Sequence, residues 1–251
     1  MLNTWIFMVF VIASMTLYWL LVPVKLRSLF LAVISFGYCY FYYPKEILFL
    51  LALAVIVYLV GRMLVKGEGR RRTLMVSSVV LLIGVLVYFK YAAFLTETLN
   101  ILLTPLLHST LSIPTIFIPI GISYFTFKMI HYIIELNRGH IDDHNVADFL
   151  CYILFFPILI SGPIERFQPF LAQLQAGEKL QIENINAGLP RIASGLFKKL
   201  VLADSLGIIA VLMQQPDLAS WQYWVASFAY TLQLYFDFSG YSDMAIGISR
   251  L

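Results

Sequence analysis

Apolar residues in this chain run in long stretches separated by short polar ones, over 2–22, 27–43, 46–65, 73–95, 114–136, 146–162, 195–213 and 221–236. A bilayer core about 30 Å thick needs about 20 mostly apolar residues per crossing helix. The pattern therefore predicts an all-α, polytopic transmembrane protein with about seven to eight membrane segments. The first run carries no charge, exceeds the length of a signal-peptide core, and lacks a basic leader and a small-residue cleavage site, so it reads as a retained helix. The 27–43 and 146–162 runs are short, and Pro157 interrupts the second. Both read as tilted, broken or re-entrant elements. The whole of 1–251 reads as one integral membrane domain, with N-terminal helices over 1–113 and the polar motifs over 114–251.

Composition sharpens this reading. The 251 residues are 61% hydrophobic and 12% charged, against about 25% charged in soluble domains. A water-soluble enzyme is excluded, and lipid is the solvent for most of the surface. With 17 basic and 14 acidic residues the net charge is +3, and the basic residues sit between apolar runs, so no nucleic-acid partner is expected. Cys39 and Cys151 lie inside apolar runs and read as small buried hydrophobes, with no disulfide framework and no metal site.

Basic residues in short loops set orientation. Lys25 and Arg27 follow the first run, and Lys66, Arg70, Arg71 and Arg72 follow the third. Two crossings separate the clusters, so both are expected in the cytoplasm and the N-terminus outside. The loop from Arg138 to Asn145 is nearly neutral because of Asp142 and Asp143. Tyr38, Tyr40, Phe41, Tyr42 and Tyr43 read as an interfacial aromatic belt. There is no visible repeat and no recurring GxxxG, so the inverted-repeat signature of secondary transporters is missing.

Ionisable groups within apolar runs are costly and point to internal cavities or partners. In PIGISYFTFKMIHYIIELNR (119–138), Lys128, His131 and Glu135 fall three and four apart, on one helical face. That stripe reads either as a proton-handling or substrate-facing surface or as a packing network. In FFPILISGPIERFQPF (155–170), Pro157, Gly162, Pro163 and Pro169 break the helix, and Glu165 and Arg166 follow the break. This is either a re-entrant element shaping a cavity or an interfacial turn. In QLYFDFSGYSD (233–243), Tyr235, Asp237, Ser239, Tyr241, Ser242 and Asp243 surround Gly240. Aromatic faces and carboxylates of this kind hold hydroxylated ligands, while the plain alternative is a helix leaving the membrane. Asp237 and Asp243 lie off a common helical face, so a break at Gly240 is expected if both border one tunnel. Lys198 and Lys199 read as snorkelling to an interface. His108, His140 and His144 fall in or beside loops and read as solvated. No GxSxG, Walker A, HExxH or CxxC motif is present.

In PIGISYFTFK (119–128), FFPILISGPIERF (155–167), GLFKKLVLAD (195–204) and YFDFSGYSDMAIGIS (235–249), the chain resembles the membrane-bound O-acyltransferase superfamily, and most of all its bacterial alginate-acetylation branch. The resemblance implies the N-terminal part of a barrel-like helical fold pierced by a tunnel. It implies an inner-membrane protein that binds no cofactor and takes an acyl group, foremost acetyl, from acetyl-CoA or a similar cytoplasmic thioester. The acceptor would be a hydroxyl of an exported polysaccharide or other envelope polymer, reached with an extracytoplasmic acetyltransferase partner. D-alanyl transfer to teichoic acid and a non-catalytic membrane subunit or permease are the alternatives. The histidine held catalytic in that family follows the last block beside a Trp- and Arg-rich stretch, whereas this sequence stops at Leu251. None of His108, His131, His140 and His144 matches that position, so the catalytic residue is unassigned. The chain is expected to be part of a longer protein and inactive by itself.

Overall fold

A computed structural model describes residues 5–66, 71–107, 112, 118–141, 144–159, 162, 165–176, 181–215 and 219–251. Arg70, His108, Asp142, Asp143 and Pro163 lie outside the described residues. Helices account for the regular structure: α1 (Trp5–Leu20), α2 (Arg27–Tyr42), α3 (Pro44–Lys66), α4 (Arg71–Leu107), α5 (Ile122–Asn137), α6 (Val146–Leu154), α7 (Phe167–Gln175), α8 (Ile182–Phe197), α9 (Asp204–Ala210) and α10 (Ser220–Arg250). No strand occurs among the described residues. Val24–Tyr42, Pro44–Lys66 and Arg71–Leu102 are long and apolar enough to cross a membrane, while Trp5–Leu20 and Val146–Ile158 are shorter apolar helices.

Contacts divide the chain into two compact units, one of Met1–Phe30, Ser161–Pro163 and Ala176–Leu251, the other of Leu31–Ile160 and Ile164–Gln175.

The second unit is built on α3, α4 and α5. Ile47, Leu50, Leu53, Ala54, Val57, Gly61 and Leu64 recur at helical spacing and form the buried stripe of α3. A Cβ on Gly61 would lie 2.8 Å from both Tyr132 Oη and Leu136 Cδ1, so the missing side chain lets α5 approach. The 37-residue α4 is different. Val76, Val80, Leu81, Ile83, Phe94 and Leu99 are all exposed on it. An apolar helix with its large side chains outward is a helix solvated by lipid. Gly121 has φ of 71° at the start of α5, and a Cβ there would come within 3.0 Å of the Leu159 carbonyl.

In the first unit α10 packs along α8 and α9. Between those two, Lys198–Ala203 forms a π-helical segment. Sequence reading expects a break in α10 at Gly240, but the helix runs unbroken from Ser220 to Arg250. Gly240 is instead a contact. A Cβ on it would fall 2.8 Å from the Gly195 carbonyl, and one on Gly195 would fall 2.6 Å from the Gly240 carbonyl. Seven residues along each helix, Gly188 and Gly247 repeat the meeting, each 2.9 Å from the other's carbonyl by the same measure. Two glycines per helix thus bring two backbones together without side chains between them. Trp19 of α1 closes this unit by donating its indole N–H to the Leu251 carbonyl at 2.7 Å.

Arg27 departs from its expected role as an exposed orientation marker. It is 7% exposed, with its guanidinium 4.7 Å from the ring centres of both Tyr18 and Trp19. Stacking on two aromatic faces holds the α1–α2 turn. Lys25, Lys66, Arg71 and Arg72 are exposed.

Candidate functional site

Lysines organise the sequence blocks in both units: Lys128 of the first block reaches the carbonyl of Tyr152, just ahead of the second, and Lys198 and Lys199 of the third reach acids of the fourth. In the second unit the helix leading into the second block fails after Leu154, where Phe155 leaves helical geometry with φ −48° and ψ 107°. Pro157 has no N–H to continue the ladder. The amide of Phe156, which would bond the Tyr152 carbonyl in a continuous helix, donates instead to Ser35 Oγ at 3.2 Å. The Tyr152 carbonyl is left without its helical donor, and the Lys128 ammonium of the first block supplies the replacement. Lys128 is fully buried, 4.2 Å from the ring centre of Tyr152 and 5.5 Å from that of Tyr124. The Tyr152 hydroxyl in turn donates to the Glu165 backbone carbonyl at 2.9 Å.

The expected stripe of Lys128, His131 and Glu135 is thereby divided. Lys128 caps the break. Glu135, nearer the helix end, accepts from Arg138 at 3.0 Å and Gln168 at 3.0 Å, and pairs with His140 Nδ1 at 3.0 Å. Between them the buried His131 Nδ1 has no hydrogen-bond partner among the described residues. Arg166 is exposed. His144, expected in solvent, is only 9% exposed and meets the Tyr132 hydroxyl through Nε2 at 2.8 Å. A flanking Asn145 explains how a loop residue becomes buried: its side chain caps α6 by accepting from the Asp148 amide at 2.8 Å, which turns the chain inward.

In the first unit the third and fourth blocks meet. Lys198 Nζ donates to Asp243 Oδ2 at 2.6 Å and to Ser239 Oγ at 3.0 Å, and Arg191 Nε donates to Asp243 Oδ1 at 3.1 Å. Lys199 Nζ lies 2.8 Å from Asp237 Oδ1 and 3.6 Å from Asp204 Oδ1. One acid thus sits between two cations, and one cation between two acids. The lysines do not snorkel, because carboxylates on α10 are within their reach.

The geometry resolves the problem that the two acids posed. Six residues of α-helix turn about 600°, which leaves Asp237 and Asp243 about 120° apart around α10. Gly240 lies midway and touches Lys198 Cβ at 3.2 Å and the Lys199 amide at 3.1 Å by the position of its absent Cβ. Two adjacent lysines therefore straddle α10 at its thinnest point, one reaching each acid. Both Asp243 oxygens accept from cations, so this carboxylate fixes groups in place and is not poised to take up a proton. Asp243 is 17% exposed and Asp237 46%. Tyr235, grouped with them by sequence, is 62% exposed. Ser242 Oγ is buried with no partner among the described residues.

Sequence reading misses two things here: the role of the lysines, and the glycine pairs. The signal for the second is present as a seven-residue spacing on each of two helices, Gly188 to Gly195 and Gly240 to Gly247. No group of three or more His, Cys, Asp or Glu side chains fit to hold a metal is found among the described residues.

No family model matches the chain. It is 34% identical over 234 residues to the probable alginate O-acetylase AlgI of Pseudomonas aeruginosa, an alignment of 90% of this chain and 44% of that protein. It is 28% identical over 212 residues to the peptidoglycan O-acetyltransferase of Helicobacter pylori, covering 73% and 40% of the two chains. Against the teichoic acid D-alanyltransferase of Streptococcus thermophilus it is 31% identical over 140 residues, covering 53% and 34%. The chain spans less than half the length of these relatives. With relatives of these three kinds, the chain belongs to the membrane-bound O-acyltransferase superfamily.

Proposed function

We propose that this chain forms part of a membrane-embedded O-acyltransferase. It would move an acyl group, acetyl foremost, from acetyl-CoA or a similar cytoplasmic thioester to a hydroxyl of an exported polysaccharide or other envelope polymer. The observation that carries the reading is the 34% identity over 234 residues with an alginate O-acetylase. Similarity to the D-alanyltransferase extends over only 140 residues, which favours acetyl over D-alanyl transfer. An extracytoplasmic acetyltransferase partner, the bacterial inner membrane and an outside N-terminus belong to the same proposal. Lys25, Lys66, Arg71 and Arg72, all exposed, support the orientation.

Acyl transfer to a hydroxyl needs a base, donors for the developing oxyanion, and exclusion of water from the thioester. Asp243, saturated by Lys198 and Arg191, acts in this reading as the organiser of the α8–α10 wall and keeps two cations at fixed positions. His108, His131, His140 and His144 are not assigned as the base.

The test is transfer of radiolabelled acetyl from acetyl-CoA to polymer in membranes carrying the full-length protein. Asp243→Asn is expected to lower transfer by about tenfold with normal membrane insertion, the scale of one charge-assisted hydrogen bond. Unaltered transfer in Asp243→Asn overturns the role given to Asp243, and labelling by a D-alanyl thioester and not by acetyl-CoA overturns the acetyl reading. Single cysteines at Thr4 and Gly69 in a cysteine-free background are expected to react with an impermeant reagent from opposite sides of the membrane.

A further inference from the structure

The hydroxyls along α10 are not bonded alike. Ser227, Thr231 and Ser249 each donate to the carbonyl four residues back, at 2.8, 2.9 and 2.8 Å. This is a common use of the proton for a serine or threonine inside a helix. Ser239 differs. Its oxygen accepts from the Lys198 ammonium at 3.0 Å, and an ammonium has no lone pair to take a proton in return. No acceptor for the Ser239 proton is found among the described residues. The half-buried hydroxyl therefore offers a donor to whatever lies beyond the cluster.

What stands behind that hydroxyl strengthens it. Lys198 Nζ also donates to Asp243 Oδ2 at 2.6 Å, and Arg191 Nε holds Asp243 Oδ1 at 3.1 Å. The carboxylate has both oxygens engaged by cations, so it orients Lys198 and leaves the Ser239 proton alone. A hydroxyl whose oxygen accepts from a cation is polarised and donates more strongly, since successive hydrogen bonds reinforce one another. The chain from Asp243 through Lys198 to Ser239 thus ends in a fixed donor, and such a donor gains most when the oxygen it meets turns negative. An acyl carbonyl under attack is such an oxygen. Ser239 is not placed as a nucleophile, because Lys198 faces it as a donor and no base meets the hydroxyl among the described residues.

We propose that Ser239 is a catalytic donor to the developing oxyanion of acyl transfer, with Lys198 as its positioning residue. The inference rests on the acyl-transfer reading and adds to it the group that holds the acyl carbonyl. In that reaction the acceptor oxygen bonds to the acyl carbon while the carbonyl π pair moves onto its oxygen. Return of the pair breaks the C–S bond, and the acceptor's proton leaves on the thiol. Ser239 keeps its own proton throughout. Its bond to the carbonyl oxygen is strongest at the charged stage, so its loss falls on kcat and not on KM.

The test uses the full-length protein in detergent and has two readouts. The first is transfer from acetyl-CoA. Ser239→Ala is expected to lower kcat about 100-fold, the scale of one lost oxyanion donor, with KM changed less than threefold. Ser239→Thr keeps a hydroxyl and is expected to restore at least a third of kcat, and Ser227→Ala, on the same helix, to stay within twofold of wild type. The second readout needs no turnover: the infrared carbonyl band of bound acetyl-CoA carrying carbon-13 at the acetyl carbonyl. A hydrogen bond lowers that band, so Ser239→Ala is expected to raise it. Monodisperse elution of each variant separates these effects from misfolding, and the infrared comparison of wild type with Ser239→Thr stands if Ser239→Ala does not fold. Wild-type kcat in Ser239→Ala overturns the proposal, as does a raised KM with unaltered kcat, an equal loss in Ser239→Thr, or a band that Ser239→Ala does not move. Absence of transfer by the wild type, with the lowered band present, overturns the acyl-transfer reading and leaves the donor in place.

Discussion

The two units of this protein hold their lysines in opposite ways. In the first, Lys198 and Lys199 are each 28% exposed and reach carboxylates on a neighbouring helix. In the second, Lys128 is fully buried and donates to a main-chain carbonyl between two tyrosine rings. The difference lies in what each helix lacks. Helix α10 is continuous and needs only to be held against its neighbour, so ion pairs at a glycine contact suffice. Helix α6 is broken, and a freed carbonyl inside the protein demands a donor whatever its charge. A lysine near a membrane is thus read by the backbone it faces as much as by its own charge.

This contrast can be broken at several points. The largest effect is expected from the glycine contact. Gly240→Leu would drive a side chain into the Gly195 carbonyl, and its cost is expected at or above the top of the roughly 1–3 kcal/mol range of overpacked contacts. Loss of monodisperse protein in detergent would register it. Gly37→Leu, whose Cβ position has no atom within 4 Å, is expected to behave as wild type.

Lys128→Met keeps the length of the side chain and removes the donor. Leaving a buried carbonyl unsatisfied is expected to cost about 1–3 kcal/mol, read as a lowered thermal midpoint in detergent, while Phe127→Met at the exposed neighbouring position is expected to be neutral. A neutral Lys128→Met would mean that the break at Phe155 is satisfied some other way.

A smaller effect is expected for the ion pairs. A double-mutant cycle between Lys198→Met and Asp243→Asn is expected to give a coupling of about 0.5–1 kcal/mol, since the partners are partly exposed and charge pairs in such settings are screened. A coupling as large as the Lys128 effect would erase the distinction between the two units. Smallest of all, Lys199→Gln is expected to shift stability by under about 0.5 kcal/mol, because Asp237 is 46% exposed.

Much of the fold was legible in sequence. The apolar runs anticipate α1 through α5 to within a few residues, apart from the extension of α4 to Leu107 and the later start of α5 at Ile122. The break near Pro157 was also legible, since proline removes a specific donor wherever it lies. The site was less so. Lys128, His131 and Glu135 do share a helical spacing, but three residues on one face meet three different environments, because the stripe runs from the packed interior beside α6 to an exposed helix end. Lys198 and Lys199 looked like interfacial anchors, for nothing local shows that α10 places an acid opposite each.

What the sequence determined by itself is what depends on neighbours along the chain: the helical elements, their solvation by lipid, the stop at Pro157, and the polar clusters as places of interest. The tertiary structure decided which of those clusters touch. It made Gly240 a point of contact where a helix break was expected, turned His144 inward, and gave the Lys128 ammonium to the Tyr152 carbonyl. The physical reason is that helix periodicity fixes the direction of a side chain only relative to its own axis. The partner comes from another helix tens of residues away, and its register is set by close backbone contact, here by glycines whose significance lies in the carbonyl that faces them.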